Sequence, residues 1–444
     1  MTARDAGAGL ASGPADSRSS AWRRFVDVRP DERQTVGWCW LAIFSVLSSY
    51  YIMRPIRDQA GVAGGVQNLQ WLFTGTLVAM VLLNIPFAYL VKRLPRSRFL
   101  PITYHFFAAN ILVFAALFHW ADPAQTVWVG RIFFIWASAF NLFVVSVFWQ
   151  LSVDLFSPEQ GKRLFGLIAA GATVGAIVGS AVTASLARRV PPMTLLLGAA
   201  ILLEIAVLSI VRLSRLSATF DRRPHGDAAG AAIGGSVFAG ITRAVRSPYL
   251  LNLGAFLLLF AITSTFLYFQ QAAIVSGSFA DRGAQTAFFA TVDLLVNVLT
   301  LGVQLFLTGR IMVLLGVGLA LGLLPALTIV GFGGLALVPT TMAVAAFQVL
   351  RRATDYAIAR PAREVLYTVV PREDRYKTKS VLDTLVYRTG DQLGAWSVAL
   401  LRAIGLAPAQ VSLVVIPVAT VWLLNALWLG RRQVRLAMRH AAVP

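Results

Sequence analysis

What most constrains this chain is the recurrence of unbroken apolar runs of about twenty residues, the length that crosses a bilayer as a helix. Twelve such runs read from the sequence, at 35–53, 70–91, 99–118, 126–151, 163–187, 193–212, 247–270, 286–308, 312–332, 334–354, 381–404 and 410–430. Hydrocarbon offers no hydrogen-bond partner, so each segment must satisfy its backbone internally, as a helix does. The expected fold class is all-α: a polytopic membrane protein with twelve transmembrane helices in two six-helix bundles. Of the 444 residues, 57% are hydrophobic and 13% charged, about half the charge of a soluble domain.

The charge is strongly one-sided. With the first loop placed outside, the inner side collects Lys92, Arg93, Arg96, Arg98, Arg310, the run from Arg351 to Lys379, and Arg431, Arg432, Arg435 and Arg439. The outer side holds Arg54, Arg57, Arg188, Arg189, Arg282 and Arg402. Basic residues are retained on the cytoplasmic side of membrane proteins. This places both termini in the cytoplasm of a multi-pass inner-membrane protein. It also accounts for the formal net charge of +19 without a nucleic-acid partner. The "WRRFV" near the start is followed by the polar "DVRPDERQT", where a twin-arginine signal needs an apolar region.

The polar stretch 213–246 contains "DRRPHGDAAGAAIGG", a flexible-linker composition. The expected organisation is a disordered cytoplasmic tail over 1–34, a six-helix bundle over 35–212, the linker over 213–246, a second bundle over 247–430 and a tail over 431–444. Six helices, a central loop and six helices is the layout of the major facilitator fold, which binds its solute between the halves. The superfamily's usual first-loop signature is degenerate here, with Val91 or Lys92 where an Asp belongs.

Several function classes lack their residues. One cysteine, Cys39, allows no internal disulfide, and the four histidines have no ligand spacing, so no metal and no cofactor are expected. "EQGKRLFG" lacks the first Gly and the Ser/Thr of a phosphate-binding loop. No nucleophile motif points to an enzyme.

Charges inside apolar spans cost enough to be functional candidates. In "YYIMRPIRDQAG", Arg54 and Arg57 share a face at i, i+3, with Asp58 beside them to hold a guanidinium. The first apolar run ends just before them, which puts the three at the outer end of helix one. In the eleventh span, Asp383, Tyr387 and Asp391 follow at i, i+4, i+8, and Arg388 can pair with Asp391. Asp293 and Asn297 form a polar stripe in the eighth span, where Asp293 is a candidate proton or cation carrier. Glu204 stands alone in the sixth. Arg131, near the outer end of the fourth, is expected to snorkel. Pro158 starts a helix with Glu159 in its first turn, and Lys162 and Arg163 face the cytoplasm. Gly171, Gly175 and Gly179 let another helix approach closely.

These motifs resemble those of the nucleotide (ATP/ADP) translocase family of plastids and intracellular bacteria, and more closely its free-living bacterial branch. "RPIRD" is similar to the R-x-x-K-D pattern that ends the family's first helix. Glu159, Lys162, Arg163 and Phe165 are similar to its E-x-x-K-R-aromatic turn. Tyr356, Pro361, Arg363, Glu364 and Tyr367, then Lys377, Lys379 and Asp383, resemble the run before its eleventh helix. The resemblance implies a substrate path through Arg54, Arg57 and Asp58, and gating or loop roles for Glu159, Lys162, Arg163, Arg363 and Glu364. Two departures remove positive charge: Asp391 stands where the nucleotide carriers have lysine, and the seventh span is neutral at Gln270 and Gln271.

The expected activity is secondary transport of a small anionic solute, a nucleotide or organic phosphate, by alternating access. A proton or an exchanged counter-substrate is a potential partner, the bilayer is the solvent, and the chain acts as a monomer. A lipid or drug transporter of the same fold, with an apolar cavity and arginines only at its rim, is the first alternative. A membrane scaffold or sensor is the second.

Overall fold

The computed structural model describes residues 28–93, 96–220, 247–371, 378–379 and 381–441. Most of the expected tail over 1–34 and linker over 213–246 therefore lies outside the described residues, as do Lys377 and the side chain of Lys162. Among the described residues there is no strand.

The described residues form twelve long helical segments: α1 Arg33–Ala63, α2 Leu69–Arg93, α3 Arg96–Trp120, α4 Pro123–Leu155, α5 Pro158–Leu186, α6 Pro192–Phe220, α7 Pro248–Ser278, α8 Arg282–Phe306, α9 Thr308–Leu337, α10, α11 and α12 Pro408–Ala441. α10 runs Thr341–Thr354, widens into a π turn at Asp355–Ala359 and continues as Arg360–Leu366. α11 starts with a π turn, Leu382–Val386, and continues as Tyr387–Ala403. Among the described residues ten helices are long and apolar enough to cross a membrane by composition. α10 and α11 fall short because they are interrupted and carry several charged residues within their spans. The polytopic all-α fold is the one the apolar runs dictate.

Local chemistry sets the helix starts. Asp122 with Gln125 and Ser157 with Gln160 form capping boxes ahead of Pro123 and Pro158, each satisfying amides that a helix N-terminus leaves free. Ser247, Asp281 and Thr340 cap α7, α8 and α10 in the same way.

Three apolar cores hold the helices. One is built almost entirely from α1 to α6, around Phe133, Phe140 and Phe148, and a second from α7 to α12, around Phe256 and Trp422. The third joins the halves, bringing Val62, Leu69 and Phe134 against Phe266, Phe269, Phe289 and Ala395. Its residues lie toward the helix ends opposite the termini. The halves are thus sealed at that end, while their own cores stay separate toward the termini.

α1 and α5 approach closely. Ser48 Oγ donates to the Gly175 carbonyl at 3.1 Å. A Cβ at Gly175 would collide with the Phe44 carbonyl, and one at Gly179 with the Ser48 carbonyl. The four-residue glycine spacing is the reason α5 fits against α1.

Candidate functional site

α1 does not stop at residue 53. It continues to Ala63, with Ser49 to Met53, Ile56 and Asp58 to Val62 buried. Arg54, Arg57 and Asp58 are therefore inside the helix, about one and a half to two and a half turns before its end, and not at an outer mouth. Hydropathy fails there because the polar residues face a cavity instead of lipid. That cavity, about 310 Å³, lies between the halves and is lined from α1, α2, α4, α7, α8, α10 and α11. This is a size typical of small-molecule sites.

Among the described residues six arginines line it, Arg54, Arg57, Arg351, Arg352, Arg360 and Arg388, with four aspartates, Asp58, Asp293, Asp355 and Asp391. The pairing is specific. Arg57 binds Asp58 at 2.6 Å, and Tyr268 from the other half donates to the same oxygen at 3.1 Å. Asp293 Oδ1 accepts from Arg352 at 2.6 Å and pairs with Arg54 at 2.9 Å, so one carboxylate is shared by arginines of both halves. Asp293 Oδ2 and Arg352 Nη2 are buried without a hydrogen-bond partner among the described residues. Arg360 pairs with Asp355 at 3.1 Å, and Arg388 with Asp391 at 3.1 Å. Thr265 adds a bond to Asp391 at 3.3 Å. Arg351 makes no ion pair among the described residues. Thr328, Ser264 and Thr263 hold it at 3.1, 2.9 and 2.9 Å, with Phe260 below its guanidinium. The six cations exceed the four anions by two.

The sequence reading missed Arg351, Arg352, Asp355 and Arg360. It ended the tenth span at residue 354 and assigned the arginines to a cytoplasmic loop. α10 instead carries them along the cavity wall. A π turn takes up one extra residue, which rotates the rest of the helix by about 100° and returns Arg360 to the face bearing Arg352 and Asp355. The available signal was amphipathic spacing, with charges at 351, 352, 355 and 360 around Ala353, Ala357, Ala359 and Ala362.

Other expected site residues lie elsewhere. Tyr387, Arg388 and Asp391 line the cavity, but Asp383 does not. It sits two turns nearer the termini, 4.0 Å from Arg363, beyond the cavity's depth. Asn297 turns back to the Asp293 carbonyl at 2.8 Å and braces its own helix. Asp293, expected as a proton or cation carrier, is held here by Arg54 and Arg352. Glu204 is off the polar path altogether: α6 turns it to the outside of the bundle, 3.0 Å from His105 of α3. Arg131 donates to the Gly64 carbonyl at 3.0 Å and lies over Trp128, capping α1 instead of snorkelling.

The loop residues form brackets near the terminal end. Glu364 pairs with Lys379 at 2.7 Å, joining the end of α10 to the chain before α11. Arg163 pairs with Glu32 at 2.6 Å, tying α5 to the start of α1. Burial alone would push the Glu32 carboxyl up, but hydrogen bonds from Arg163, Gln160 and the Arg29 amide outweigh it and hold the group at about 2. Glu159 is exposed in the first turn of α5.

Named contacts close the end opposite the termini. Gln59 meets Gln285 at 3.5 Å, Thr74 meets Gln392 at 2.9 Å, and Trp71 packs edge-on against Trp396. Toward the termini the lining ends in Arg360, 51% exposed. The cavity opens on that side.

No family model matches the chain, and no curated protein matches it. Solved structures do. A bacterial homologue of the human lysosomal transporter Spinster, in an inward-facing and unoccupied conformation, aligns with a TM-score of 0.57 at 14% identity, over 92% of this chain and 99% of that one. A bacterial homologue of the iron transporter ferroportin, also inward-facing, aligns with a TM-score of 0.63 at 12% identity, over 89% and 98%. The nucleoside transporter NupG aligns with a TM-score of 0.55 at 15% identity, over 90% and 99%. The chain shares the fold of these solved structures. The similarity covers both halves, and at these identities it speaks to architecture alone.

Proposed function

We propose that the chain is a secondary transporter that moves a small anionic solute by alternating access, taken up in the cavity between its halves. The observation that carries this reading is the two-charge surplus of arginine over aspartate in a cavity shared by both bundles. A charge left unpaired away from water is costly, so the site is poised for an anion that completes the pairing. Asp293 is the resident counter-ion. Arg54 and Arg352 both point at its Oδ1, and a solute phosphate or carboxylate entering beside it engages the same two guanidiniums. Because Arg54 is on α1 and Asp293 on α8, that exchange of partners loosens a contact between the halves.

With both termini cytoplasmic in an inner membrane, as the arginine distribution argues, the sealed end faces outward and the conformation is inward-open. The resemblance to nucleotide translocases favours a phosphate-bearing solute. Asp391 and the neutral Gln271 in the lining argue for fewer charges than ATP carries. The arginines line the interior and not only the rim, which is the reverse of what an amphiphile carrier requires. A scaffold has no need of these buried charges.

The test is counterflow in proteoliposomes with labelled small organic phosphates beside labelled ATP. Exchange of the smaller anion, weak or absent ATP/ADP exchange, and loss of both with Arg352→Ala at normal membrane insertion are expected. Robust ATP/ADP exchange that survives Arg352→Ala and Arg57→Ala would defeat the reading.

A further inference from the structure

His105 and Glu204 are the part of the molecule that transport does not absorb. α3 and α6 pack along each other and place the two side chains together on the outer face, 56% and 44% exposed, with His105 Nδ1 3.0 Å from Glu204 Oε1. Glu204 is about 18 Å along α6 from the end opposite the termini, and His105 about 14 Å along α3 from the terminal end. In a hydrocarbon layer about 30 Å thick, both are near the middle, out of reach of water by snorkelling. Around them the same two helices expose Ile102 and Phe106, and Ile201 and Leu208, at 50%, 58%, 62% and 63%. Ionisable side chains within spans almost always face the bundle interior or a cavity. This pair faces away from both, and lipid chains offer it nothing.

We infer that a second copy of this chain covers the face, related by a two-fold axis beside the pair. A two-fold contact needs a patch complementary to itself, so that each residue type finds its partner on the other copy. One donor ring and one acceptor carboxylate side by side meet that condition. The His105 ring's Nε2 and the second oxygen of Glu204 have no partner among the described residues. Across the axis each copy's Nε2 meets the other copy's free carboxylate oxygen, and with the two Nδ1–Oε1 contacts the four groups close into one ring. The flanking apolar side chains pack around it as they would against lipid. The arrangement departs from the monomer expected from the sequence, and it leaves the cavity and its openings untouched.

The test uses the full chain with its buried Cys39 replaced (Cys39→Ala), carrying Phe106→Cys, oxidised in native membranes. A disulfide-linked dimer is expected from Phe106→Cys and not from Val330→Cys, which is 71% exposed on α9 in the other half. Photobleaching of singly labelled chains in liposomes is expected to show two steps. His105→Glu alone, which sets like charges against each other, should lower the dimer fraction about tenfold, the scale of losing interhelical hydrogen bonds in a membrane. His105→Glu with Glu204→His restores the complementarity and should restore the dimer. Single-step bleaching overturns the proposal. So does cross-linking only to a different protein, or a dimer indifferent to both variants.

Discussion

Arg388 and Asp391 show what one pair of charges does in this cavity. They lie 3.1 Å apart, one turn apart on α11, and Thr265 from α7 holds the carboxylate from the other side. Removing either partner leaves a charge in a poorly solvated site, which costs several kcal/mol. Removing both leaves none. Arg388→Gln and Asp391→Asn should each lower the unfolding temperature in detergent more than the double variant does, with a coupling of roughly 1–3 kcal/mol in a double-mutant cycle. Additive losses would mean that the two do not act as a pair. Asp293 differs because it answers two arginines at once. Asp293→Asn leaves Arg54 and Arg352 facing each other, and a loss of about 3–5 kcal/mol is expected. An added organic phosphate should restore more stability to this variant than to the native chain, since it supplies the missing anion. An equal or smaller shift would count against Asp293 as the counter-ion that solute replaces.

Two elements carry more than their own residues. α5 is a close-packing surface. Gly171, Gly175 and Gly179 lie against Trp40, Phe44 and Ser48 of α1, and that approach sets where α1 presents Arg54 and Arg57. Gly175→Ala forces a Cβ onto the Phe44 carbonyl. It should cost about 1–3 kcal/mol, read as a lower unfolding midpoint, whereas the same change at Gly198, with open space around it, should cost little. α10 is a helix whose register is reset by a π turn. Deleting Ala357 from Asp355–Ala359 removes the extra residue that the π turn takes up, so ordinary winding should keep Arg360 on the cavity face, whereas inserting an alanine after Ala357 should turn it away by about 100°. Transport should survive the deletion and fall sharply with the insertion, while far-ultraviolet circular dichroism keeps its helical signal in both. Unchanged transport with the insertion would show that Arg360 does not need the cavity face.

For the whole molecule, the sealed end is what alternating access must open. Gln59 and Gln285 face each other across the halves at 3.5 Å. A Gln59→Cys/Gln285→Cys disulfide, with Cys39→Ala, should stop transport and leave solute binding from the terminal side intact; reduction should restore transport. Transport that continues with the bond formed would mean that this end does not part.

The class of molecule is legible in one dimension. Apolar runs of bilayer length leave helices as the only segments that satisfy their own backbone, and the arginine asymmetry states a topology without reference to any fold. Short-range contacts are legible too, such as Arg57 with Asp58, Arg388 with Asp391, and the glycine face of α5, because helical spacing alone brings those residues together. What faces what emerges only when the helices pack. A hydropathy window sums all sides of a helix, so it cut α1 before Arg54 and ended α10 at residue 354, where polar residues look into a cavity and not at lipid. It could not tell Asp293, turned inward between arginines of both halves, from Glu204, turned outward beside His105. Both are single acids in apolar spans. Which neighbours each one meets is settled by how the helices pack, and helix packing is the information that a one-dimensional reading does not contain.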